Sequence, residues 1–331
     1  MIPTNDTTIQ RPDLGQAVYE TMQAAPLMGF IGMELMPVFR VAEQAANYPV
    51  IPNEALFNLL DTSRGPLGHY NRSDGEFEDG YYKTVENGLE RRIDERFSAI
   101  YSSKFAYELT IANILMGDIL RAQEYRIATK LFSETNLKTA IAASTAWSTV
   151  ASATPKADVD TGKDSMRSDG IIPNTLAMNY TTFIYLTQNA EVQSKVYQLF
   201  PDAAKTGTIG IQHLESYFDI ERILVAGALK NTAKRGQDAS LSDIWSSTYA
   251  LLCKTSSGDI TDPCIGRTFL WNEGASDEVV TEQYYLDEVR SDILRVRHDS
   301  SEAYLASYDS DNAAKSEISK ACGYLIDVTG S

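Results

Sequence analysis

Hydrophobic residues recur three and four positions apart from about Ser103 to Phe132, and this spacing predicts one long helix. The stripe consists of Phe105, Leu109, Ala112, Met116, Leu120, Ile127 and Leu131. No proline interrupts it, and a helix of about thirty residues would be about 45 Å long. Because that exceeds an average globular helix, we expect it to be the backbone of the fold. The same helical character is assigned to the whole section from Leu89 to Phe132.

A polar stretch, Asp61 to Gly88, comes directly before this section. It combines glycines with Arg, Asp, Glu and Tyr and has no apolar run that could form a core. Loops of this length without a core of their own are uncommon and are usually functional or disordered. The alternating part near its end, FEDGYYKTVEN, favours a surface hairpin over disorder.

The rest of the chain alternates short helices and strands. On the N-terminal side of the polar stretch, β-prone runs are punctuated by Pro37, Pro49 and Pro52. On the C-terminal side, helices are predicted at 155–170, 180–199 and 210–218. Strands are predicted at 174–179, 222–231, 245–255, 266–272, 292–300 and 323–330. This order indicates an α+β fold whose strands cannot pair only with their sequence neighbours.

Composition narrows the class of protein. The chain has 331 residues, 43% of them hydrophobic, which is enough for one large domain or two interleaved ones. Its formal net charge of -16 argues against strong attraction to nucleic-acid phosphate, although DNA could be a neighbour. Cys253, Cys264 and Cys322 form no CxxC pair and are interpreted as buried free thiols. No secretory signal is visible, and the apolar stretch Ala25 to Phe39 is too short to span a bilayer, so a soluble cytoplasmic protein is expected.

No motif for catalysis or metal binding is found. Phosphate loops, dinucleotide fingerprints, zinc-protease helices and nucleophile elbows are all missing from the sequence. His69, His213 and His298 are widely separated. The segment Asp158 to Asp169 has acidic residues in a calcium-loop order, but its glycine and its final residue do not fit that template. We therefore predict no catalytic residue, no cofactor and no metal.

Several ordered segments resemble the tailed-phage major capsid proteins of the Hong Kong 97-type fold. The run from Met36 to Val50 is similar to their early strand, and Arg64 to Gly68 to the opening of their extension hairpin. Tyr82-Lys83-Thr84 and Gly88-Leu89-Glu90 resemble its closing element. Further matches are Glu108 to Ala128 with the spine helix, Trp147 with the axial-domain start, Pro173 to Met178 with a strand, Ile223 to Gly227 with the next strand, and Ile244-Trp245 with a later landmark. Each match is weak alone, and the order and spacing carry the resemblance.

The resemblance implies a division of the chain. Residues 1–35 would be an N-terminal arm, 36–60 the first strands of the peripheral domain, and 61–88 the extension hairpin. Residues 89–133 would be the spine helix region, 134–275 the axial domain, and 276–331 strands returning to the peripheral domain. The α+β fold class follows from the pattern as well as from the resemblance.

The resemblance also implies a function: a structural subunit, not an enzyme, that self-assembles through hexamers and pentamers into an icosahedral shell around a double-stranded DNA genome. It would assemble in the host bacterial cytoplasm with a separate scaffolding protein and a portal, away from membranes, and reside in the virion capsid. Residues expected to contact a neighbouring subunit are Arg64, Tyr70, Arg72, Glu76, Glu78, Tyr81, Tyr82 and Lys83. Lys83 has no matched crosslinking partner, so no covalent crosslink is predicted.

Three alternatives stay open at this stage. The polar stretch could be a solvated loop without a partner. The subunit could form the shell of an encapsulin-like protein compartment, which has the same fold. More distantly, the chain could be an acidic cytosolic enzyme with an unrecognised site, since its carboxylates are numerous enough to supply an acid–base pair.

Overall fold

Two β-sheets and a long helix organise the protein, as seen in a computed structural model. The structure describes residues 8–52, 57, 59–66, 68–72, 75, 77–103, 106–272, 279–304 and 320–330. The strands are β1 (Ile9–Gln10), β2 (Val38–Val41), β3 (Ala45–Val50), β4 (Glu78–Lys83), β5 (Val85–Asp94), β6 (Lys138–Ala142), β7 (Thr175–Asn179), β8 (Arg222–Ala226), β9 (Leu229–Asn231), β10 (Leu241–Asp243), β11 (Tyr249–Cys253), β12 (Arg267–Trp271), β13 (Val280–Leu286), β14 (Ser291–Ala303) and β15 (Gly323–Asp327). The helices are α1 (Pro12–Gln23), α2 (Gly32–Leu35), α3 (Glu95–Tyr101), α4 (Tyr107–Leu131), α5 (Pro155–Ser168), α6 (Tyr180–Gln188), α7 (Ala190–Leu199), α8 (Pro201–Thr206) and α9 (Ile211–Phe218).

The long helix predicted from the hydrophobic stripe is confirmed as α4. Its 25 residues correspond to about 38 Å. Of the stripe, Ala112, Met116, Leu120, Ile127 and Leu131 are buried. Phe105 lies outside the described residues. The helix is therefore held by tertiary packing along one face, which supplies most of the stability of a protein helix.

The first sheet is built around the long strand β14. The order is β1-β13-β14-β12-β2, and β5 pairs with the other side of β14 from Ser291 to Ser300. Helix α4 packs on this sheet against β14 and β5, and Leu294 and Val296 of β14 are buried. The pairing of β12 with β2, and of β14 with β5, joins strands far apart in sequence, as the α+β interpretation required.

The helical character expected from Leu89 onward is wrong for its first part. Residues Val85–Asp94 form strand β5, and the short helix α3 intervenes before α4 begins at Tyr107. Strand β5 is an edge strand in which Ile93 alone is buried, so it has no apolar periodicity to reveal it. Its conformation is imposed by backbone pairing with β14, about 200 residues away, which local sequence does not encode.

The second sheet has the order β6-β15-β11-β7-β8, with parallel pairs at both ends. Strands β7 and β11 are almost fully buried, which explains their near-continuous apolar sequence. The sheets divide the chain differently from the implied boundaries. Strand β12, from the predicted axial segment, belongs to the first sheet, and β15, from the predicted returning segment, belongs to the second.

Residues 8–35, the described part of the predicted arm, pack on their own chain. Ile9 and Gln10 pair with β13, and α1 lies along α4 with Leu14 and Val18 buried.

A further predicted feature, the burial of the three cysteines as free thiols, is confirmed.

Candidate assembly surfaces

Strands β3 and β4 form a separate antiparallel hairpin outside the two main sheets. The register runs from Ala45 opposite Lys83 to Val50 opposite Glu78, so residues 51–77 connect the two strands in the sequence. The predicted hairpin is thus present, but its strands lie at 45–50 and 78–83. The last residues of the predicted segment, 85–88, belong to β5 of the first sheet.

Aromatic side chains fix the base of this hairpin to the first sheet. The Tyr82 ring stacks on Phe269 of β12 with centroids 4.5 Å apart, and the Tyr48 ring lies 5.5 Å from Phe269. The Tyr82 hydroxyl donates to the Glu43 carbonyl at 3.2 Å. Gly80 is required under the Tyr48 ring, because a Cβ there would lie 2.6 Å from it. The base is therefore a rigid part of its own subunit.

The predicted contact residues fall into two groups. Tyr82 is 5% exposed and is part of this aromatic base, so its ring serves its own subunit instead of a neighbour. Tyr81 is half-buried. Arg64 lies 4.5 Å from the Tyr70 ring and donates to the Gly68 carbonyl at 2.7 Å, within the loop itself. Arg64, Tyr70, Arg72, Glu78 and Lys83 are exposed, and Glu76 lies outside the described residues. Their contact with another subunit stays a prediction.

Apolar residues of the loop were missed by the sequence analysis. Leu59 is 97% exposed, and Phe57, Leu60 and Phe77 are also largely exposed. Phe57 rests on Gly170, where a Cβ would collide with its ring. The run Ala-Leu-Phe-Asn-Leu-Leu before Asp61 is the sequence signal for these residues. It was overlooked because the polar stretch was taken to begin at Asp61. Exposed apolar side chains grouped on one loop suit a contact surface.

A buried carboxylate on the long helix hydrogen-bonds to the N-terminal segment and to the loop before β11. One Glu124 oxygen accepts from the Ile31 amide at 2.8 Å and the Trp245 indole at 2.6 Å, and the other accepts from the Gly32 amide at 2.8 Å. Burial raises the pKa of Glu124, although these hydrogen bonds lower it and so oppose the shift. The three donors come from the N-terminal segment and from the loop before β11, so Glu124 joins three parts of the fold.

A polar network also fastens α4 to β14. The Arg126 guanidinium donates two hydrogen bonds, at 2.8 and 3.0 Å, to the buried Glu302 carboxylate, and the Lys130 ammonium donates to the Glu302 carbonyl. His298, 5% exposed, hydrogen-bonds Ser300 at 3.0 Å. Burial lowers the pKa of His298 to about 4. The imidazole is therefore neutral at physiological pH.

The chemistry of a metal site or a reactive thiol is not assembled in the described part of the chain. No cluster of three or more His, Cys, Asp or Glu side chains there could hold a metal ion. Burial raises the pKa of the Cys253 thiol to about 12 and raises those of Cys264 and Cys322. None of the helices among these residues is both long and apolar enough to cross a membrane.

Comparison with known proteins reveals similarity at the level of the fold. No family model and no curated protein matches the chain. A phage-related protein from Bordetella bronchiseptica is 20% identical, with a TM-score of 0.67 over 97% of this chain and 98% of that one. A virus-like particle from Pyrococcus furiosus is 10% identical, with a TM-score of 0.55 over 95% and 98%. The capsid of a native GTA particle is 10% identical, with a TM-score of 0.53 over 92% and 91%.

These likenesses cover nearly the whole chain, including both sheets and the long helix. The protein therefore has the α+β Hong Kong 97-type fold of phage capsid proteins.

Proposed function

We propose that this chain is a major capsid protein, a structural subunit whose copies assemble into a closed shell. The observation that carries the proposal is the capsid fold across nearly the whole chain, together with a rigidly based hairpin whose loop exposes Leu59, Leu60 and Phe77. Fold alone does not determine function, and it is the exposed loop that adds a reason for contact between copies.

The finer features of this proposal follow from the resemblance in the sequence. The shell is icosahedral, is built from hexamers and pentamers, and encloses the double-stranded DNA genome of a tailed phage. Assembly takes place in the bacterial cytoplasm with a separate scaffolding protein and a portal. The subunit is not an enzyme. The net charge of -16 suits a container that does not bind its DNA tightly, because a basic inner wall would oppose packing and ejection.

Electron microscopy of the purified full-length protein tests the proposal. Closed shells or capsomer rings are the expected result. A stable monomer at high concentration, in the presence and absence of lysate from the producing cells, would contradict it. A double substitution, Leu59→Ser with Leu60→Ser, should leave the subunit folded and reduce shell formation.

A second candidate function is the shell of a protein compartment, and the likeness to the virus-like particle from Pyrococcus furiosus supports it. The two functions differ in what the shell contains. Shells isolated from the native source are expected to contain nuclease-protected DNA of one length. A protein cargo without nucleic acid would instead establish the compartment function.

A further inference from the structure

Among the described helices of four or more residues, α3 is the one that has no buried residue. It has seven residues, and an isolated helix this short is marginal in water. Phe97 and Ile100 are 54% and 52% exposed. Because they are three residues apart, they share one face of the helix. This face is called the knob below.

The opposite side of α3 borders a cavity. Its volume is about 310 Å³, and it is lined by Leu14, Ser98, Ser102, Ala106, Tyr107, Glu108 and Leu109. Ser98 and Ser102, four residues apart, line it from the side of α3 that faces away from the knob. Leu14, Ala106 and Leu109 supply apolar surface, and Ser98, Ser102 and Glu108 supply the polar part of the lining. This cavity is called the hole below.

The knob is held in a defined position. The Tyr101 ring lies between those of Phe97 and Tyr107, with centroids 6.1 and 5.4 Å away. The Asp94 side chain caps the start of α3 by accepting from the Arg96 amide at 2.8 Å. Glu95 accepts hydrogen bonds from Tyr285 and Arg290 at the β13–β14 connection. A projecting apolar face that is positioned in advance loses little entropy on binding.

Charge also distinguishes the two sides. Arg96 lies beside the knob and forms no ion pair with any residue that the structure describes. Glu108 lines the hole, and its partner Arg11, 3.3 Å away, also pairs with Asp13 at 2.7 Å, so two carboxylates share one cation there and the group keeps a net negative charge. A cation beside the projection and a carboxylate in the wall of the cavity are complementary, which favours a defined register between two surfaces.

We propose that the knob of one subunit docks into the hole of a neighbouring copy. This inference rests on the proposed shell function and names one of its contacts. Since knob and hole lie on opposite sides of the same helix, the contact is heterologous: each copy offers a knob to one neighbour and a hole to the next. Such contacts close into rings when the rotation between copies allows it.

Crosslinking between two single-cysteine variants tests the contact. Subunits carrying Ile100→Cys and subunits carrying Ser102→Cys are purified separately, mixed, assembled into shells and treated with a short bismaleimide. The native cysteines are all buried, so the reagent should react with the introduced thiols alone. Covalent dimers are expected in the mixed shells and not in shells of either variant alone. Ile172→Cys, at a position 76% exposed elsewhere on the surface, replaces Ile100→Cys in the control and should give no dimer.

Each other outcome overturns a defined part of the proposal. Dimers in shells of Ile100→Cys alone would mean that knob meets knob and would refute docking into the hole. Shells that form but give no dimer in the mixture would refute the contact and leave the shell function standing. If the unsubstituted protein forms no shells, both are overturned.

A second measurement does not depend on chemical labelling. Phe97→Ser should raise the critical concentration for assembly by about tenfold, since an anchor at an interface typically contributes at least that much. Far-ultraviolet circular dichroism of the variant should match that of the unsubstituted subunit. Ile172→Ser, the matched exposed control, should assemble at the ordinary concentration. Equal assembly by Phe97→Ser and the unsubstituted protein would contradict the inference.

Discussion

Replacing Glu124 by alanine should destabilise the folded subunit strongly, and far more than Asp118→Asn on the same helix. The change removes the acceptor for three buried donors, the amides of Ile31 and Gly32 and the indole of Trp245. Each unsatisfied buried donor costs about 1–3 kcal/mol. Removing the buried charge itself offsets part of that loss, because its desolvation no longer opposes folding.

The expected net loss is about 3 kcal/mol in the free energy of unfolding, because the cost of three unsatisfied buried donors exceeds the gain from no longer burying a charge. Glu124→Gln should lose less, about 2 kcal/mol, because one oxygen still accepts while the new amide faces the Gly32 N–H and repels it. Asp118→Asn is the matched control on the same helix. Its partly exposed ion pair with Arg121 is worth at most about 1 kcal/mol.

Denaturant unfolding of the unassembled subunit, followed by tryptophan fluorescence and circular dichroism, measures these differences. The fluorescence of Trp245 should also shift in the native state of Glu124→Ala, since its indole loses a hydrogen-bond partner. The argument is refuted if Glu124→Ala unfolds within about 1 kcal/mol of the unsubstituted protein, the size of one ordinary hydrogen bond.

Three other predictions follow from the burial of particular side chains. The folded-state pKa of His298, about 4, is below its ordinary value of 6.5, so stability should fall as pH drops from 6.5 towards 4. The loss of stability is up to about 3 kcal/mol. Measurements of Tm at a series of pH values should show a smaller decrease at acidic pH in His298→Gln than in the unsubstituted protein. Thiol reagent at pH 8 should label no cysteine in the folded subunit and all three after denaturation; rapid labelling of the native protein would contradict the burial. Gly80→Val should lower Tm by pushing the Tyr48 ring off the hairpin, whereas Gly65→Val, in open space, should not.

The local sequence was sufficient to predict an element where a continuous apolar face stabilises that element. The long helix, the buried strands β7 and β11, and the free thiols all follow from patterns within a few residues. The hairpin was anticipated from the missing apolar core after Asp61, and an extended segment from the β-prone run at Tyr48 to Ile51. The pairing of Ala45–Val50 with residues 28 to 38 positions later was not anticipated.

Long-range pairing accounts for what the sequence could not supply. Strand β5 and its partner β14 are far apart in the chain, and β13 was not predicted at all. The partners of Glu124 at Ile31 and Trp245 are 93 and 121 residues away from it. In isolation, a glutamate inside an apolar stripe looks like an interruption of the helix face. Only the assembled fold reveals that it accepts three hydrogen bonds.

The contrast between the base and the loop of the hairpin is the strongest physical reason to look for a neighbouring copy. At the base, Tyr48 and Tyr82 are almost fully buried against Phe269, so the hairpin leaves the sheet at a fixed place. Beyond it, Leu59 and Phe77 remain exposed. A single subunit gains no burial from those side chains, whereas a neighbour that covers them gains the hydrophobic contribution of each. A fixed base also limits the entropy that is lost when the loop is covered. Stability within the subunit and attraction between subunits are thus assigned to different residues of one hairpin, and substitutions in the two groups should separate folding from assembly.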